Sequence, residues 1–245
     1  MPSDEKPRKV VFCTPTVTRP FPEYLAALEA SLPALEAAGW EHQAVFEAGC
    51  PYISSARATL LRKALDAKAD VIVFLDHDLS WRPTDLLKLI ETPGEVVAGL
   101  YRYRKDEFEF MGHLADAGGR KPYFRQDGVL AAERVPAGFL KITKEAVDRF
   151  IGHHPELCFG ARYSPSIDLF NHGAFDGVWW GEDYAFSRRW RALGGDIWVV
   201  PDLSLTHHDP DKSYPGNVHE WLTAQEAAET ADPSQADAPS ASAAA

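Results

Sequence analysis

The chain is short of cysteine, of basic charge and of long apolar runs, and each shortage narrows what it can be. Cys13, Cys50 and Cys158 are far apart and odd in number, which suggests neither a disulfide framework nor a paired-cysteine zinc site. No apolar stretch approaches the roughly 20 residues of a membrane span. Met1 to Lys9 is polar and lacks the apolar core of a signal peptide, so a soluble, cytoplasmic protein with no stable membrane insertion is expected. A formal charge of −11 argues against a large nonspecific nucleic-acid surface, which needs many Lys and Arg contacts to phosphate. Only a local basic cluster stands out, at Arg102, Arg104 and Lys105. A glycine-rich phosphate loop is also missing after the first strand-like segment, which argues against dinucleotide dehydrogenases and P-loop enzymes.

What is present is enough apolar residue to build a core. With 245 residues, 45% of them hydrophobic, the chain can bury one full domain, expected over 1–229. A nucleotide-binding half is expected over about 8–100 and an acceptor and catalytic half over about 101–229. From 230 to 245 the Ala, Ser, Pro and acidic composition supplies no apolar burial, which predicts a disordered acidic tail.

The first hundred residues alternate between strand and helix patterns. Val10-Val11-Phe12 reads as a strand leading into Thr14-Pro15-Thr16. Tyr24, Leu25, Leu28, Leu32 and Leu35 then recur at helical spacing, with Pro33 a possible kink and Gly39 a stop. A strand over Gln43 to Phe46, a helix from near Ser54 to Ala67, the strand Val71 to Leu75, a helix opened by Pro83 and the strand Val96 to Ala98 follow. Such alternation predicts an α/β protein with a parallel sheet, whose site lies at the carboxyl ends of the strands.

Chemistry gathers at those ends. Asp76-His77-Asp78 closes the apolar run Val71 to Leu75, and two acids one residue apart at a strand mouth can hold a hard divalent cation against phosphate oxygens. The same pattern is also met as a plain turn with solvated acids. Trp179-Trp180-Gly181-Glu182-Asp183 opens a helix that ends at Gly194-Gly195. Acids in a first turn complement the helix dipole, so Glu182 and Asp183 have a structural reading beside a catalytic one. Leu203 to His208 reads as a strand ending in two histidines. His207 and His208 alternate in direction, so one of them at most faces any metal.

Taken in order, these segments resemble the GT-A glycosyltransferases, in particular the bacterial and phage group related to family 2. The resemblance runs from Val10 to about His208. It rests on Thr14-Pro15-Thr16, Ile53 to Arg57, Val71 to Asp78, Pro136-Ala137-Gly138-Phe139-Leu140, Gly181 to Phe186, and Gly194 to Trp198 followed by Asp202 to His207. It implies a Rossmann-like nucleotide-diphospho-sugar transferase fold, with a mixed, mainly parallel central sheet flanked by helices. It also implies transfer of a sugar, of hexosyl type, from a nucleoside-diphosphate sugar to a hydroxyl acceptor. A UDP- or GDP-sugar is the expected donor and a saccharide the expected acceptor, with a modified nucleobase left open.

Site residues follow from the same resemblance. Asp78 and His207 would bind Mn²⁺ or Mg²⁺, with Asp76 reaching the ribose or the metal shell. Thr14, Pro15, Thr16, Arg57, His77 and Gly138 would line the nucleotide-sugar site. Asp183 would be the base of an inverting reaction and Glu182 would position acceptor hydroxyls. Of Trp179 and Trp180, one is expected to face inward and one to face the acceptor. The chain departs from the family where a polar segment, His208 to Gly216, follows the histidine; it reads as a lid carrying Lys212 or as a linker. Two other classes compete: a haloacid-dehalogenase-like phosphatase, which also uses Asp-x-Asp, and a noncatalytic saccharide- or nucleotide-binding protein.

Overall fold

The computed structural model describes residues 8–116, 122–161 and 164–231. The expected tail lies outside the described residues, apart from residues 230 and 231, which end the last helix. In chain order the first half comprises β1 (Arg8–Thr16), α1 (Pro22–Ala37), β2 (Trp40–Ala48), α2 (Ile53–Asp66), β3 (Val71–Leu75), β4 (Leu79–Trp81), α3 (Pro83–Glu91) and β5 (Val96–Ala98). Then come β6 (His113–Leu114), β7 (Leu130–Arg134), β8 (Phe139–Thr143), α4 (Lys144–His153), β9 (Cys158–Ala161), β10 (Ser164–Ile167), β11 (Gly173–Phe175) and β12 (Val178–Trp180). The chain closes with α5 (Glu182–Ala192), β13 (Trp198–Val199), β14 (Leu205–His208), β15 (Ser213–Gly216) and α6 (Val218–Ala231).

The main sheet has eight strands in the order β2-β1-β3-β8-β5-β13-β7-β6, with β2, β1 and β3 parallel. A strand from beyond the first hundred residues, β8, is inserted antiparallel between β3 and β5. Strands β5 and β13 are again parallel, so the sheet is mixed, and helices cover both faces. Every residue of β3 is buried, as expected of a central strand covered on both sides.

Alternation along the strands separates two apolar layers. Val11, Cys13, Ile72, Phe74, Leu140 and Ile142 pack with α2, α4 and α5 through Leu60, Leu61, Phe150, Phe186 and Trp190. Val10, Phe12, Val73, Leu75 and Phe139 pack with α1 and α3 through Tyr24, Leu28, Leu35, Leu86 and Leu89. Pro33 lies inside α1, which continues to Ala37 before Gly39 turns the chain at φ +79°. In β8 the buried Lys141 donates to the carbonyls of Ile90 (3.0 Å) and Thr92 (2.5 Å) at the end of α3. Those two bonds satisfy an ammonium that burial pushes down to about pKa 8.

A smaller sheet, β15-β14-β4, stands beside the mouth of β3. Only three residues separate the end of β3 from β4, and β14 pairs with β4 in the register His207 to Leu79. This pairing carries the histidines back to the acid pair 130 residues earlier in the chain. Among the described residues, no helix is long and apolar enough to cross a membrane.

Candidate active site

The mouth of β3 is fixed by backbone before any side chain acts. Asp76 N donates to Gly138 O (2.8 Å), just before β8 begins. The Asp76 carboxylate accepts from Arg57 Nη2 (3.0 Å) and Tyr101 Oη (3.2 Å). A Cβ on Gly138 would lie 2.3 Å from Tyr101 Oη and 2.4 Å from Asp76 Oδ2, so any side chain here would have to displace one of them. Gly138 was expected to let a donor sugar approach; in the structure it makes room for Asp76 and Tyr101.

Arg57 joins three separate segments. Its side chain is 3% exposed, and besides Asp76 it reaches Ala137 O (3.1 Å) and Glu182 Oε1 (3.5 Å). Burial disfavours the charged guanidinium, yet Asp76 and then Glu182 more than offset that cost and hold its pKa above the ordinary arginine value. The expectation that Arg57 binds the nucleotide directly is therefore revised. It lies a full turn into α2, with its head committed to protein groups, and ties the acid of β3 to the acid of α5.

Glu182 and Asp183 occupy the first turn of α5, after the tight hairpin β11–β12. Asp183 Oδ1 accepts from the Tyr184 N–H (2.8 Å). Burial, followed by the neighbouring Glu182 charge, raises the Asp183 carboxyl to about 7, against a smaller lowering effect of Arg57. Trp179 is 66% exposed, whereas Trp180 is half-buried and donates from Nε1 to Phe175 O (3.3 Å). Trp179 is therefore the more open of the two.

Asp78 is 7% exposed, and its Oδ2 pairs with Arg104 Nη2 and lies 3.8 Å from His207 Nε2. Its Oδ1 is buried with no hydrogen-bond partner. His207 Nδ1 bonds to Arg102 O (2.9 Å), which leaves Nε2 turned toward Asp78. His208 points the other way, with Nε2 2.7 Å from Ser80 Oγ and Nδ1 2.9 Å from Ser213 Oγ. Both imidazoles are held below their ordinary pKa, chiefly by burial, and so favour the neutral form. His77 is also lowered by burial, and its ring packs against Phe21 with centroids 5.9 Å apart.

The Thr14-Pro15-Thr16 segment ends β1 beside this mouth, but its side chains face inward. Thr14 Oγ1 is 2.5 Å from Tyr24 Oη in the core, so its hydroxyl is not open to a nucleotide. Thr16 Oγ1 is buried with no partner, which keeps it a candidate for a polar ligand group. The segment contributes backbone as well, since Thr16 O accepts from Gly49 N (3.0 Å).

Tested as a cation site, this arrangement fits in part. Asp78 and His207 converge, and the orphaned Asp78 oxygen has room in its chemistry for a positive ligand. Asp76 is engaged elsewhere in the structure, its Oδ1 accepting from Arg57 and its Oδ2 from Tyr101. Among the described residues no group of three or more such donors converges. A cation here would therefore take two protein ligands and complete its shell from water or phosphate oxygens. Tyr101 and Arg104 had not been singled out as site residues. Arg104 sat inside a visible basic cluster, whereas Tyr101 carried no sequence signal.

No protein-family model and no curated protein matches the chain. Among solved structures it is similar to a glycosyltransferase involved in glycosylation of the major capsid of PBCV-1, at 12% identity and a TM-score of 0.31, over 58% of this chain and 62% of that one. It is similar to GalNAc-T7 with UDP, GalNAc and Mn²⁺, at 13% identity and a TM-score of 0.41, over 83% of this chain and 44% of that one. It is similar also to residues 1–349 of TarS from S. aureus, at 14% identity and a TM-score of 0.38, over 85% and 59%. The chain spans less than two thirds of the length of each of these three. Likenesses this loose assign neither donor nor acceptor to this chain.

Proposed function

We propose that the chain is a glycosyltransferase of GT-A type, moving a sugar from a nucleoside-diphosphate sugar to a hydroxyl acceptor. The observation that carries this reading is the Arg57 bridge. It brings Asp76 at the mouth of β3 and Glu182 at the α5 N-terminus onto one buried guanidinium, at the carboxyl end of β3 where ligands of such sheets bind. In this reading Asp78 and His207 hold Mn²⁺ or Mg²⁺, and the bound cation supplies positive charge to the diphosphate leaving group. Asp76, locked by Arg57 and Tyr101, presents a fixed edge to the donor. Asp183, raised toward neutrality, is suited to accept the acceptor hydroxyl proton as that oxygen attacks the anomeric carbon, which inverts its configuration. Glu182 orients acceptor hydroxyls, and the exposed face of Trp179 offers an apolar platform for a sugar ring.

The phosphatase alternative asks the first acid of Asp-x-Asp to act as a nucleophile. Arg57 and Tyr101 each donate to one Asp76 oxygen, which orients the carboxylate and leaves lone pairs free, so the reaction products decide between the two readings. Incubation with UDP-, GDP-, CDP- and TDP-sugars, Mn²⁺ and a panel of saccharide acceptors, followed by mass spectrometry, separates the classes. Transferred sugar with free nucleoside diphosphate supports this reading. Orthophosphate points to hydrolysis of a phosphate ester, and donor binding without turnover points to a noncatalytic binder.

A further inference from the structure

Arg104 occupies the carboxylate at which the donor site needs a cation. Its Nη2 pairs with Asp78 Oδ2, the oxygen that His207 Nε2 also approaches. The Asp78 side chain is 10% exposed and that of Arg104 is 36%, so solvent and ligands reach the guanidinium more readily than the acid.

The loop that carries Arg104 is pinned at its base and along its main chain. An isolated bridge joins Arg102 to Phe110, and Tyr103 N donates to Glu109 O (3.1 Å). Arg102 Nη2 donates to the carbonyls of Lys105 (3.3 Å), Asp106 (3.1 Å) and Glu107 (3.1 Å), while its guanidinium lies 4.8 Å from the Phe108 ring. An ion pair from Lys212 to Asp106 ties the same loop to the polar segment after β14. With the backbone fixed this way, reorganisation at the site falls on the long, rotatable Arg104 side chain.

We propose that Arg104 is a built-in competitor for the metal position. It neutralises Asp78 until a divalent cation and a donor diphosphate are both present, and then turns from the carboxylate to the diphosphate. This rests on the donor-site reading above. A guanidinium and a divalent cation at one buried carboxylate repel each other, so the metal alone binds against Arg104. A diphosphate gives the displaced guanidinium a new bidentate partner. Arg104 therefore opposes the metal by itself and favours the diphosphate, which makes the two ligands bind cooperatively.

Calorimetry on the full chain tests this, with Mn²⁺ alone and then with UDP in saturating Mn²⁺. Arg104→Gln is expected to bind Mn²⁺ alone about tenfold more tightly than wild type and UDP about tenfold more weakly, within the usual range of coupling between sites. Arg104→Lys, which keeps a cation, is expected to follow wild type in the Mn²⁺ titration. Unchanged or weaker Mn²⁺ binding by Arg104→Gln overturns the competition; if UDP still requires Mn²⁺, the donor site stands without it. Tighter Mn²⁺ with unchanged UDP binding overturns the turn to the diphosphate. No Mn²⁺ binding by either protein overturns both the proposal and the metal site.

Discussion

Arg57 Nη2 sits 3.0 Å from Asp76 Oδ1 across 19 residues of sequence, and the same nitrogen lies 3.5 Å from Glu182 Oε1. One buried guanidinium thus balances acids from both halves of the chain. Replacing it with Met leaves two partly buried carboxylates facing each other with no counter-charge. Arg57→Met is expected to lose roughly 3–5 kcal/mol of stability, measured by urea denaturation. Arg57→Lys keeps the charge but not the fork, and should recover part of the stability with little donor binding.

Gly138 tests whether this arrangement is needed as it stands. Its backbone lies outside the left-handed region, so alanine there meets crowding and no φ strain. Gly138→Ala must push Tyr101 or Asp76 aside, at a cost of about 1–3 kcal/mol. Donor affinity should fall more than the change in melting temperature alone would explain, and calorimetry beside a thermal melt checks this.

The two histidines are expected to fail in different ways. His207→Ala should weaken Mn²⁺ binding, because Nε2 faces Asp78, and should also cost about 1–3 kcal/mol for the lost bond to Arg102 O. His208→Ala should leave Mn²⁺ binding close to wild type. It should cost about 1–3 kcal/mol, since the Ser80 and Ser213 hydroxyls lose their shared partner. A metal titration on each variant distinguishes the two roles, and a denaturation curve measures the cost.

Asp183 gives a pH prediction with a definite sign. A base must be ionised, so transfer should rise with pH through about 7 in the wild type, and Asp183→Asn should lose roughly two to four powers of ten in turnover. Stability runs the opposite way. The folded carboxyl holds its proton above the ordinary aspartate value, which favours the folded state at acid pH. That contribution is lost as pH rises through about 7. Asp183→Asn should therefore melt roughly 2–4 °C higher than wild type at pH 8, and close to wild type at pH 4.

Much of this site was legible because its parts carry local chemical signals. The buried run of β3 ending in Asp76 and Asp78 is a pattern of apolar residues followed by acid, and Gly181 to Asp183 marks a helix start. Strand alternation alone implies that His207 and His208 face opposite ways, as their hydrogen bonds do. Antiparallel β8 was harder to see, because Lys141 interrupts its apolar pattern and is satisfied only by the distant end of α3. β4 is three residues long, too short for periodicity to register. Tyr101 and the partners of Arg57 depend on long-range packing, and no local pattern shows where a guanidinium will point. The inward turn of Thr14 toward Tyr24 likewise belongs to the core and not to the motif.

Nucleoside-diphosphate release from the donor panel, followed in parallel for wild type and Asp78→Ala, tests the central claim most directly. With Mn²⁺ and acceptor present, the wild type is predicted to release nucleoside diphosphate in step with sugar transfer. The folded Asp78→Ala variant should be slower by at least about a hundredfold, because the leaving group loses its charge stabilisation. Release of orthophosphate instead, or transfer by Asp78→Ala at the wild-type rate, would contradict the account.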